Sequence, residues 1–398
     1  MNSDGKSLIP AFIDLAAQRE RLGDRIERAI ASVLQHGQFV LGPEVAELER
    51  QLAAFCGSKH VVSCANATDA LLLVLMAEGI GPGDAVFVPA FTFVATAEVV
   101  VLAGATPLFV DVQRDSFNLD PDSLEAAIAE AESVGLKARC VIPVDLYGQP
   151  ADYTAIRRIA DDNNLLVLAD AAQSFGASLN GHKVGTLADY TATSFYPSKP
   201  LGCYGDGGAI FTDDSAKAKL LVAIRCHGRH PDGSECGQVG LNSRLDTFQA
   251  AILLEKLALF PQEIVAREKS ADRYSEDLAA VVQTPRLMEG ASSVWAQYTV
   301  VTERRDELAK ACREAKVPTA VHYGSPLHAF PAYRQFPTAP GGLPNAEWLA
   351  ERVISLPMHG YLSDEAQDLV IRTVRPALRS PRLPGAHAGL AGAPSAAE

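Results

Sequence analysis

Apolar and polar positions along the first half of the chain follow two kinds of pattern. Apolar residues recur at helical spacing over Gln18–His36 and Pro43–Phe55, which predicts two amphipathic helices. Beyond them, short and nearly continuous apolar runs alternate with further helical patterns. The runs predict strands at Val61–Cys64, Val86–Pro89, Leu108–Asp111, Cys140–Asp145, Leu165–Asp170, Ala192–Tyr196 and Ala209–Thr212. The helical patterns predict helices at Ala70–Ala77, Val94–Leu102, Pro121–Glu132 and Tyr153–Asn163.

This alternation is typical of βαβ units, which build a mainly parallel sheet with helices on both faces. The pattern changes after Arg244. The later elements are predicted as helices at Leu245–Leu259 and Pro261–Val281, a strand at Gln297–Val301, a helix at Arg305–Ala315, a strand at Thr319–His322 and a helix at Glu365–Leu378. The sequence therefore predicts an α/β fold with arm helices and a large domain in residues 1–259 and a smaller α+β domain, with its connecting helix, in residues 260–379. Residues 380–398 are predicted to be disordered.

Composition narrows the possible functions. A chain of 398 residues exceeds the size at which one hydrophobic core stops growing, which favours two domains. A formal net charge of -13, without a Lys/Arg cluster, argues against a nucleic-acid partner. Residues 1–13 lack a signal-peptide pattern, and no apolar run is long enough to cross a bilayer, so a cytoplasmic protein without a membrane partner is expected. The seven cysteines are scattered without a C-x-x-C pair, so no metal site is predicted.

Lys199 is the centre of the most informative segment, Ser194–Gly202. This segment follows a predicted strand and leads into the glycine-rich turn Gly205–Gly208. Lysine is rarely buried. A desolvated lysine can lose its proton near neutral pH and form a Schiff base. For this residue alone, a solvated loop lysine is the alternative.

Asp170 follows directly on a predicted buried strand. A carboxylate in that position is costly unless it has a cation or hydrogen-bond donors. It can cap the next helix, or it can pair with a protonated pyridine nitrogen, which makes the ring an electron sink. Lys199 lies close enough along the predicted sheet for both side chains to meet one ligand.

Other candidate residues lie at the ends of predicted elements. Ala67 and Thr68 open a helix, where free N–H groups either form an anion site or are only capped. Phe93 follows a strand end, where its ring can stack on a planar ligand or pack in the core. Asn242 can cap the helix that follows it. Arg244 has a planar guanidinium whose N–H donors suit a carboxylate or a phosphate.

The order and spacing of these segments resemble the DegT-like sugar aminotransferases. These are fold-type I enzymes that use pyridoxal 5'-phosphate (PLP) to aminate keto sugars on nucleotide carriers. The resemblance covers residues 10–378 and rests on Asp170–Gln173, Ser194–Lys199, Gly205–Gly208 and Asn242–Asp246. It implies a fold-type I PLP-dependent transferase with a smaller C-terminal domain.

The resemblance also implies a role for each matching residue at the cofactor ring. Lys199 holds PLP covalently as an internal aldimine and then acts as the acid and base of the proton shift. Asp170 pairs with the pyridine nitrogen. Gln173 lies against the ring near its 3-hydroxyl, and Phe93 stacks on the ring.

At the phosphate, the resemblance implies that Ala67, Thr68 and Ser194 bind this group. Asn242 reaches the phosphate of the neighbouring subunit's cofactor, so the expected assembly is a homodimer with shared active sites. Two positions depart from the family pattern. Ala67 stands where members commonly have Gly, which stiffens the phosphate loop. Asp145 stands where many members have His, and no role is assigned to it.

Within the family, the chain most resembles the enzymes that aminate UDP-2-acetamido-2-deoxy-3-oxo-glucuronate in O-antigen (lipopolysaccharide) synthesis. The resemblance implies L-glutamate as amino donor and 2-oxoglutarate as its product. A uronate needs a cation, and Arg244, His322 and Tyr323 are the predicted substrate-binding residues. Two alternatives remain open. The protein is an aminotransferase that acts on another 3- or 4-keto nucleotide sugar, or it is a regulator that binds PLP without turnover. Family dehydratases have histidine in place of Lys199, and no G-x-G-x-x-G opens a helix, so sugar dehydration and nicotinamide chemistry are disfavoured.

Overall fold

The structure is a computed structural model that describes residues 9–229 and 235–378. Its helices are α1 (Leu15–Leu22), α2 (Arg25–His36), α3 (Pro43–Cys56), α4 (Ala67–Ala77), α5 (Ala95–Leu102), α6 (Pro121–Ser133), α7 (Tyr153–Asn163), α8 (Ser215–Ile224), α9 (Thr247–Leu278), α10 (Arg305–Glu314), α11 (Pro344–Arg352) and α12 (Asp364–Leu378). Its strands are β1 (His60–Cys64), β2 (Asp84–Pro89), β3 (Thr106–Val110), β4 (Lys137–Val141), β5 (Leu166–Asp170), β6 (Ser178–Leu179), β7 (His182–Lys183), β8 (Tyr190–Ser194), β9 (Gly208–Thr212), β10 (Ala291–Ser292), β11 (Tyr298–Val301) and β12 (Val353–Leu356). The tail predicted to be disordered, 380–398, lies outside the described residues.

The described residues form a central sheet of seven strands in the order β1-β9-β8-β5-β4-β2-β3. β9 is antiparallel to both β1 and β8, and every other neighbouring pair is parallel. The predicted mainly parallel sheet is therefore confirmed.

Helices cover both faces of this sheet, which explains why most residues of its strands are buried. Successive side chains of a strand point to opposite faces. On β2, Val86 and Val88 pack in a core with α4, α5 and α8, whereas Ala85 and Phe87 pack in a second core with α6 and α7.

The C-terminal part has a core of its own. β11 and β12 form an antiparallel pair, and α10, α12 and the second half of α9 pack with it. The domain boundary that we propose at residues 259 and 260 falls inside α9. Leu253 packs with the large sheet, whereas Tyr274 packs in the C-terminal core. The long helix therefore belongs to both cores.

Two predictions of helices were wrong in their bounds. The helix predicted over Gln18–His36 is interrupted at Gly23, whose φ of 60° lies in the left-handed region that glycine tolerates. The two helices predicted on either side of residue 260 are one continuous helix, α9, with Pro261 inside it. Proline removes one backbone hydrogen bond, but the burial of Leu259 and Phe260 beside it stabilises the helix across this point.

Two predictions of strands also differ from the structure. The strand predicted over Cys140–Asp145 ends at Val141, and Val144 makes only an isolated parallel bridge to Asp170. The strand predicted over Thr319–His322 is reduced to a single bridge between Ala320 and Ser355. Beyond that bridge the chain leaves the sheet. The sequence analysis also missed α8, α11, β12 and the small sheet of β10, β6 and β7.

Candidate active site

Ser194 and Asp170 lie at the edge of the central sheet where parallel strands end. Ser194, the last residue of β8, pairs with Gly208 on β9, which pairs in turn with Cys64 at the end of β1. On the other side of β8, Asp170 at the end of β5 pairs with Ala192. Ligands of open α/β sheets bind outside this edge. The register therefore places Ser194, Asp170 and the start of α4 side by side.

Asp170 is a buried carboxyl with few protein partners. Its side chain is 6% exposed; Thr96 Oγ1 donates to Oδ2 at 2.8 Å and the Ala172 N–H donates to Oδ1 at 3.2 Å. No helix follows it directly, because residues 172–176 form a turn, so it does not act as a helix cap. Burial raises the pKa of Asp170, and the two hydrogen bonds and the charge of Lys199 oppose that change. Such a carboxylate is suited to a cationic partner.

Lys199 lies on the loop between β8 and β9, close to Asp170. Hydrogen bonds hold the loop: the Phe195 N–H donates to the Gly207 carbonyl and the Cys203 N–H to the Phe195 carbonyl, each at 2.7 Å. Burial lowers the pKa of the Lys199 amine, whereas the charge of Asp170 raises it. Because a desolvated amine is more easily deprotonated, it can attack a carbonyl group near neutral pH.

Gly202 and Lys256 fix the shape of this loop. A Cβ at Gly202 would lie 2.5 Å from the Tyr196 carbonyl oxygen and 2.6 Å from that of Pro197, so the backbone leaves room only for glycine. The buried Lys256 on α9 donates from Nζ to the Gly202 carbonyl at 2.6 Å and lies 4.1 Å from the Tyr204 ring centre. Sequence analysis missed Lys256, because nothing local connects α9 with this loop.

The start of α4 has the features of an anion site. Asn66 caps the helix through Oδ1, which accepts from the Asp69 N–H at 2.8 Å. Within residues 9–229 and 235–378, the N–H groups of Ala67 and Thr68 have no protein acceptor. They are available to an anion. A Cβ on Gly208 would lie 2.6 Å from the Asn66 carbonyl carbon, so glycine lets β9 approach this helix start.

Gln173 connects the sheet edge with a segment from the C-terminal half of the chain. Its Oε1 accepts from the Tyr147 N–H at 2.7 Å, and its Nε2 donates to the Tyr323 hydroxyl at 3.4 Å. The Tyr147 hydroxyl donates to the His322 carbonyl. Nδ1 of His322 lies 3.1 Å from Ser355 Oγ on β12. These contacts bring His322 and Tyr323 into the same site as Gln173.

The charges of the site act on His322 and Tyr323. Burial lowers the pKa of His322, and the positive charge of Lys199 lowers it further. Burial raises the pKa of Tyr323; the hydrogen bond from Gln173 opposes this change and the charge of Asp170 adds to it. Both side chains are therefore uncharged at neutral pH, and they contribute hydrogen bonds rather than charge to a ligand.

Phe93 and Thr96 follow β2 at the same edge. The Phe93 side chain is 55% exposed, and its ring centre lies 6.2 Å from that of Tyr323. Thr96 is buried against Asp170 and was missed by the sequence analysis. A threonine within an apolar helix is the sole local signal, and its partner is 74 residues away.

Asn242 and Arg244 lie in the segment before α9. The side chain of Asn242 is exposed and that of Arg244 is half-buried. Ser243, between them, is buried, and its Oγ accepts from the Ala65 N–H at 3.2 Å, which ties the segment to the residue before Asn66. Among the described residues, the Arg244 guanidinium has no hydrogen-bond or ion-pair partner, and its planar group of N–H donors is suited to an anion.

The residues present fit PLP. The cofactor needs an amine for its aldehyde, a carboxylate for its ring nitrogen and an anion site for its phosphate. Lys199, the buried Asp170 and the uncapped N–H groups at the start of α4 offer these groups along one sheet edge. The part of the chain that the structure describes contains no group of His, Cys, Asp and Glu arranged to hold a metal ion. Nor does it contain a helix with the length and apolar character needed to cross a membrane.

Comparison with known proteins agrees with this geometry. Residues 20–375 match the model of the DegT/DnrJ/EryC1/StrS aminotransferase family. A Pseudomonas aeruginosa protein named UDP-2-acetamido-2-deoxy-3-oxo-D-glucuronate aminotransferase is 50% identical over 352 residues, which cover 88% of this chain and 95% of the relative.

Solved structures show the same similarity. A DegT DnrJ EryC1 StrS aminotransferase from Brucella abortus has a TM-score of 0.92 and 48% identity, covering 93% of this chain and 100% of its own. The PLP form of a putative sugar aminotransferase from Streptococcus pneumoniae has a TM-score of 0.82 and 28% identity, covering 89% of this chain and 96% of its own.

Proposed function

The chain belongs to the DegT/DnrJ/EryC1/StrS aminotransferase family, with PLP as cofactor, and we propose that it moves the amino group of L-glutamate to UDP-2-acetamido-2-deoxy-3-oxo-glucuronate for surface polysaccharide synthesis. The observation that carries amine transfer is the pairing of two buried groups at one site. Asp170 lies beside Lys199, and burial lowers the pKa of the Lys199 amine. The choice of sugar is supported by the 50% identity to the Pseudomonas aeruginosa enzyme of that name.

The residues of the site divide the chemical work. When bound, PLP supplies an aldehyde that captures amines and a ring that delocalises negative charge. Asp170 would keep the ring nitrogen protonated, since its carboxylate is buried and, among the described residues, Lys199 is the one cation whose charge acts on it. Thr68 and Ser194 orient the phosphate end, and Gln173 holds the ring edge.

Lys199 acts both as anchor and as proton carrier. Its amine would hold the cofactor and, once free, would be available to move protons. The free amine then takes the proton from the α-carbon of glutamate. In the second half-reaction it delivers a proton to the sugar carbon that receives the amine. Burial favours the uncharged amine that the first of these steps requires.

The uronate carboxylate is assigned to Arg244. Its guanidinium has no partner among residues 9–229 and 235–378, and a planar fork fits a carboxylate with two parallel hydrogen bonds. His322 and Tyr323 are uncharged at neutral pH, so they complete this subsite with hydrogen bonds alone.

Replacement of Arg244 by Ala should act selectively on the uronate. We expect kcat/KM for the uronate to fall by roughly 10- to 100-fold, the effect of losing a charge-assisted hydrogen bond. The corresponding sugar with a neutral group in place of the carboxylate should change little. Steady-state kinetics with both sugars measure the ratio. An equal fall in kcat/KM for both sugars would show that Arg244 does not bind the carboxylate.

A homodimer with shared sites is the second part of the proposal. Phe39, Val40 and Leu41 form a loop of exposed apolar side chains, 47%, 46% and 41% exposed in the single chain. Val40 bridges to Asp246, so this loop lies beside the segment that carries Asn242. An exposed apolar patch marks an interface. We expect a second copy to cover it and to receive Asn242 at its phosphate site.

Hybrid dimers test whether the site is shared. Protomers with Lys199→Ala and with Asn242→Ala, each carrying a different affinity tag, are co-expressed and purified through both tags. If Asn242 acts on the partner subunit, each hybrid contains one intact site and should show about half of the wild-type turnover, since only one of its two sites is complete. If Asn242 acts within its own chain, no hybrid site is intact, and the hybrids should be no more active than the single variants.

The choice of sugar is tested with a panel of substrates. The holoenzyme and L-glutamate are assayed with the UDP-linked 3-oxo uronate, its neutral UDP-linked analogue, and 3- and 4-keto sugars on dTDP. We expect the highest kcat/KM for the uronate, with the aminated sugar identified by mass spectrometry. A higher kcat/KM for a dTDP-linked or neutral sugar would replace the proposed substrate while leaving amine transfer intact.

A further inference from the structure

Asp145 is a second buried carboxyl directly beside Asp170. Its side chain is fully buried, at 0% exposed. Its backbone N–H donates to the Asp170 carbonyl at 3.0 Å, next to the bridge between Val144 and Asp170. An isolated ionised group in such a place is costly unless donors surround it. The position therefore needs an explanation beyond packing.

Three donors converge on this carboxyl. Oδ1 accepts from the Ala151 N–H and from the Tyr153 hydroxyl, both at 2.8 Å, and Oδ2 accepts from Ser174 Oγ at 2.6 Å. No Lys, Arg or His of the described residues pairs with it. An ionised carboxylate is an acceptor only, and it is satisfied by three donors. The three donors therefore favour the charged form of Asp145, but no cation of the described residues balances that charge.

The same hydrogen bonds hold the residue that faces the cofactor ring. Ser174 directly follows Gln173, and Tyr147 lies two residues after Asp145. The Tyr147 N–H donates to Gln173 Oε1 at 2.7 Å. Asp145 therefore holds two segments in place. It binds the turn that carries Gln173 through Ser174, and it lies in the loop whose Tyr147 N–H orients the Gln173 amide. Loss of either contact would let the side-chain amide of Gln173 rotate.

The charge of Asp170 also reaches Asp145. Burial raises the pKa of Asp145 to about 7, the donors Ser174, Ala151 and Tyr153 oppose this change, and the charge of Asp170 adds to it. The titratable groups that face Asp145 are Asp170 and the Tyr153 hydroxyl, and Arg157 acts on the latter. Because the interaction between two titrating groups is mutual, a charge on Asp145 also acts on the protonation of Asp170.

We propose that Asp145 is a positioning residue for amine transfer, which fixes Gln173 at the cofactor ring and, through its negative charge, strengthens the hold of Asp170 on the ring-nitrogen proton. The inference rests on the cofactor roles proposed for Asp170 and Gln173. An added negative charge stabilises protons on nearby groups, so the ionised form of Asp145 keeps the bound cofactor protonated to higher pH.

Asp145→Asn separates charge from shape. The amide keeps one acceptor oxygen for Ala151 and Tyr153 but has no charge. We expect the pH midpoint of the visible absorbance of the lysine-bound cofactor to be lower than in the wild type by roughly one pH unit. This is the effect of removing a charge several ångströms away in a medium with an effective dielectric constant near 20. We also expect kcat to fall by at least about 10-fold.

Tyr153→Phe is the matched control. It removes one donor from Asp145 at 2.8 Å and lowers Tm; it disfavours the charged form of Asp145 without abolishing it, so its absorbance midpoint should shift less than that of Asp145→Asn. An unchanged absorbance midpoint and kcat in Asp145→Asn, with a Tm lowered as in Tyr153→Phe, would show that Asp145 is only a structural residue. That result would overturn the inference.

A second variant is available if Asp145→Asn does not fold. Ser174→Ala removes the donor at 2.6 Å and disfavours the charged form of Asp145. The absorbance midpoint should then shift in the same direction by a smaller amount, and no shift would contradict the inference. Failure of the proposed function is distinguishable, because the wild-type protein would then form no aminated uronate from L-glutamate, whereas the inference is judged on the absorbance midpoint of the variants.

Discussion

Replacement of Lys199 by Ala should abolish turnover and the visible absorbance of lysine-bound PLP. The amine is the anchor of the cofactor and the carrier of the proton, and burial lowers its pKa so that it can serve in both roles. Loss of a positioned acid and base alone costs roughly 10²- to 10⁴-fold in rate. We therefore expect kcat to fall by at least about 10³-fold. Steady-state assays and absorbance spectra of the PLP-loaded protein measure both effects.

Lys219→Ala provides the control for this prediction. Lys219 is an exposed lysine on α8 with no contact to the residues of the site among the described interactions, and its removal should leave the spectrum and kcat unchanged. Retention of turnover by Lys199→Ala, at a level near that of the wild type, would mean that the reacting amine lies elsewhere.

Replacement of Asp170 by Asn should have the second largest effect. Asn keeps the shape of the side chain and the hydrogen bond with Thr96 but cannot hold the ring nitrogen protonated. Loss of a preorganised electrostatic partner costs roughly 10²- to 10³-fold in kcat. PLP should still attach to Lys199, so the variant is expected to keep its visible absorbance and lose its rate.

The stability of the apoprotein gives an independent readout of the same change. Burial raises the pKa of Asp170, so the folded chain holds this proton more tightly than the unfolded chain. Stability from this group is therefore present at low pH and is lost as pH rises through the raised pKa. At neutral pH the uncharged Asn should give an equal or higher Tm than Asp170.

Thr96→Ala separates the charge of Asp170 from its orientation. It removes the hydrogen bond at 2.8 Å but keeps the carboxylate. We expect a loss of roughly 10-fold in kcat, as for one hydrogen bond to a charged group. A loss as large as that of Asp170→Asn would mean that the orientation of the carboxylate, and not its charge, carries the effect.

Much of the large domain could be predicted from the sequence, because its strands are buried on both faces. Runs such as Leu165–Ala169 are apolar throughout, and this pattern can be recognised without knowing which strands and helices lie beside them. The same runs show where the polar residues Asp170 and Ser194 end a strand. The sequence could therefore place them at one edge of the sheet.

The remaining features depend on contacts between distant segments. Thr96 and Lys256 reach the site from elements that carry no local sign of their partners. The segment before His322 looks like a strand, but it makes one bridge to β12 and then turns into the site. Helix α9 passes through Pro261 because packing on both sides outweighs one lost hydrogen bond. The order of apolar and polar residues within one segment does not show which distant segment it will contact.

The most direct test of amine transfer follows the nitrogen itself. The holoenzyme is incubated with the UDP-linked 3-oxo uronate and L-glutamate labelled with heavy nitrogen, and the sugar product is analysed by mass spectrometry. We predict that the label appears in an amino group on the former keto carbon, with 2-oxoglutarate formed in equal amount, and that Lys199→Ala yields no labelled sugar. Formation of 2-oxoglutarate without label in any sugar of the panel, or labelled sugar from Lys199→Ala, would contradict amine transfer through Lys199.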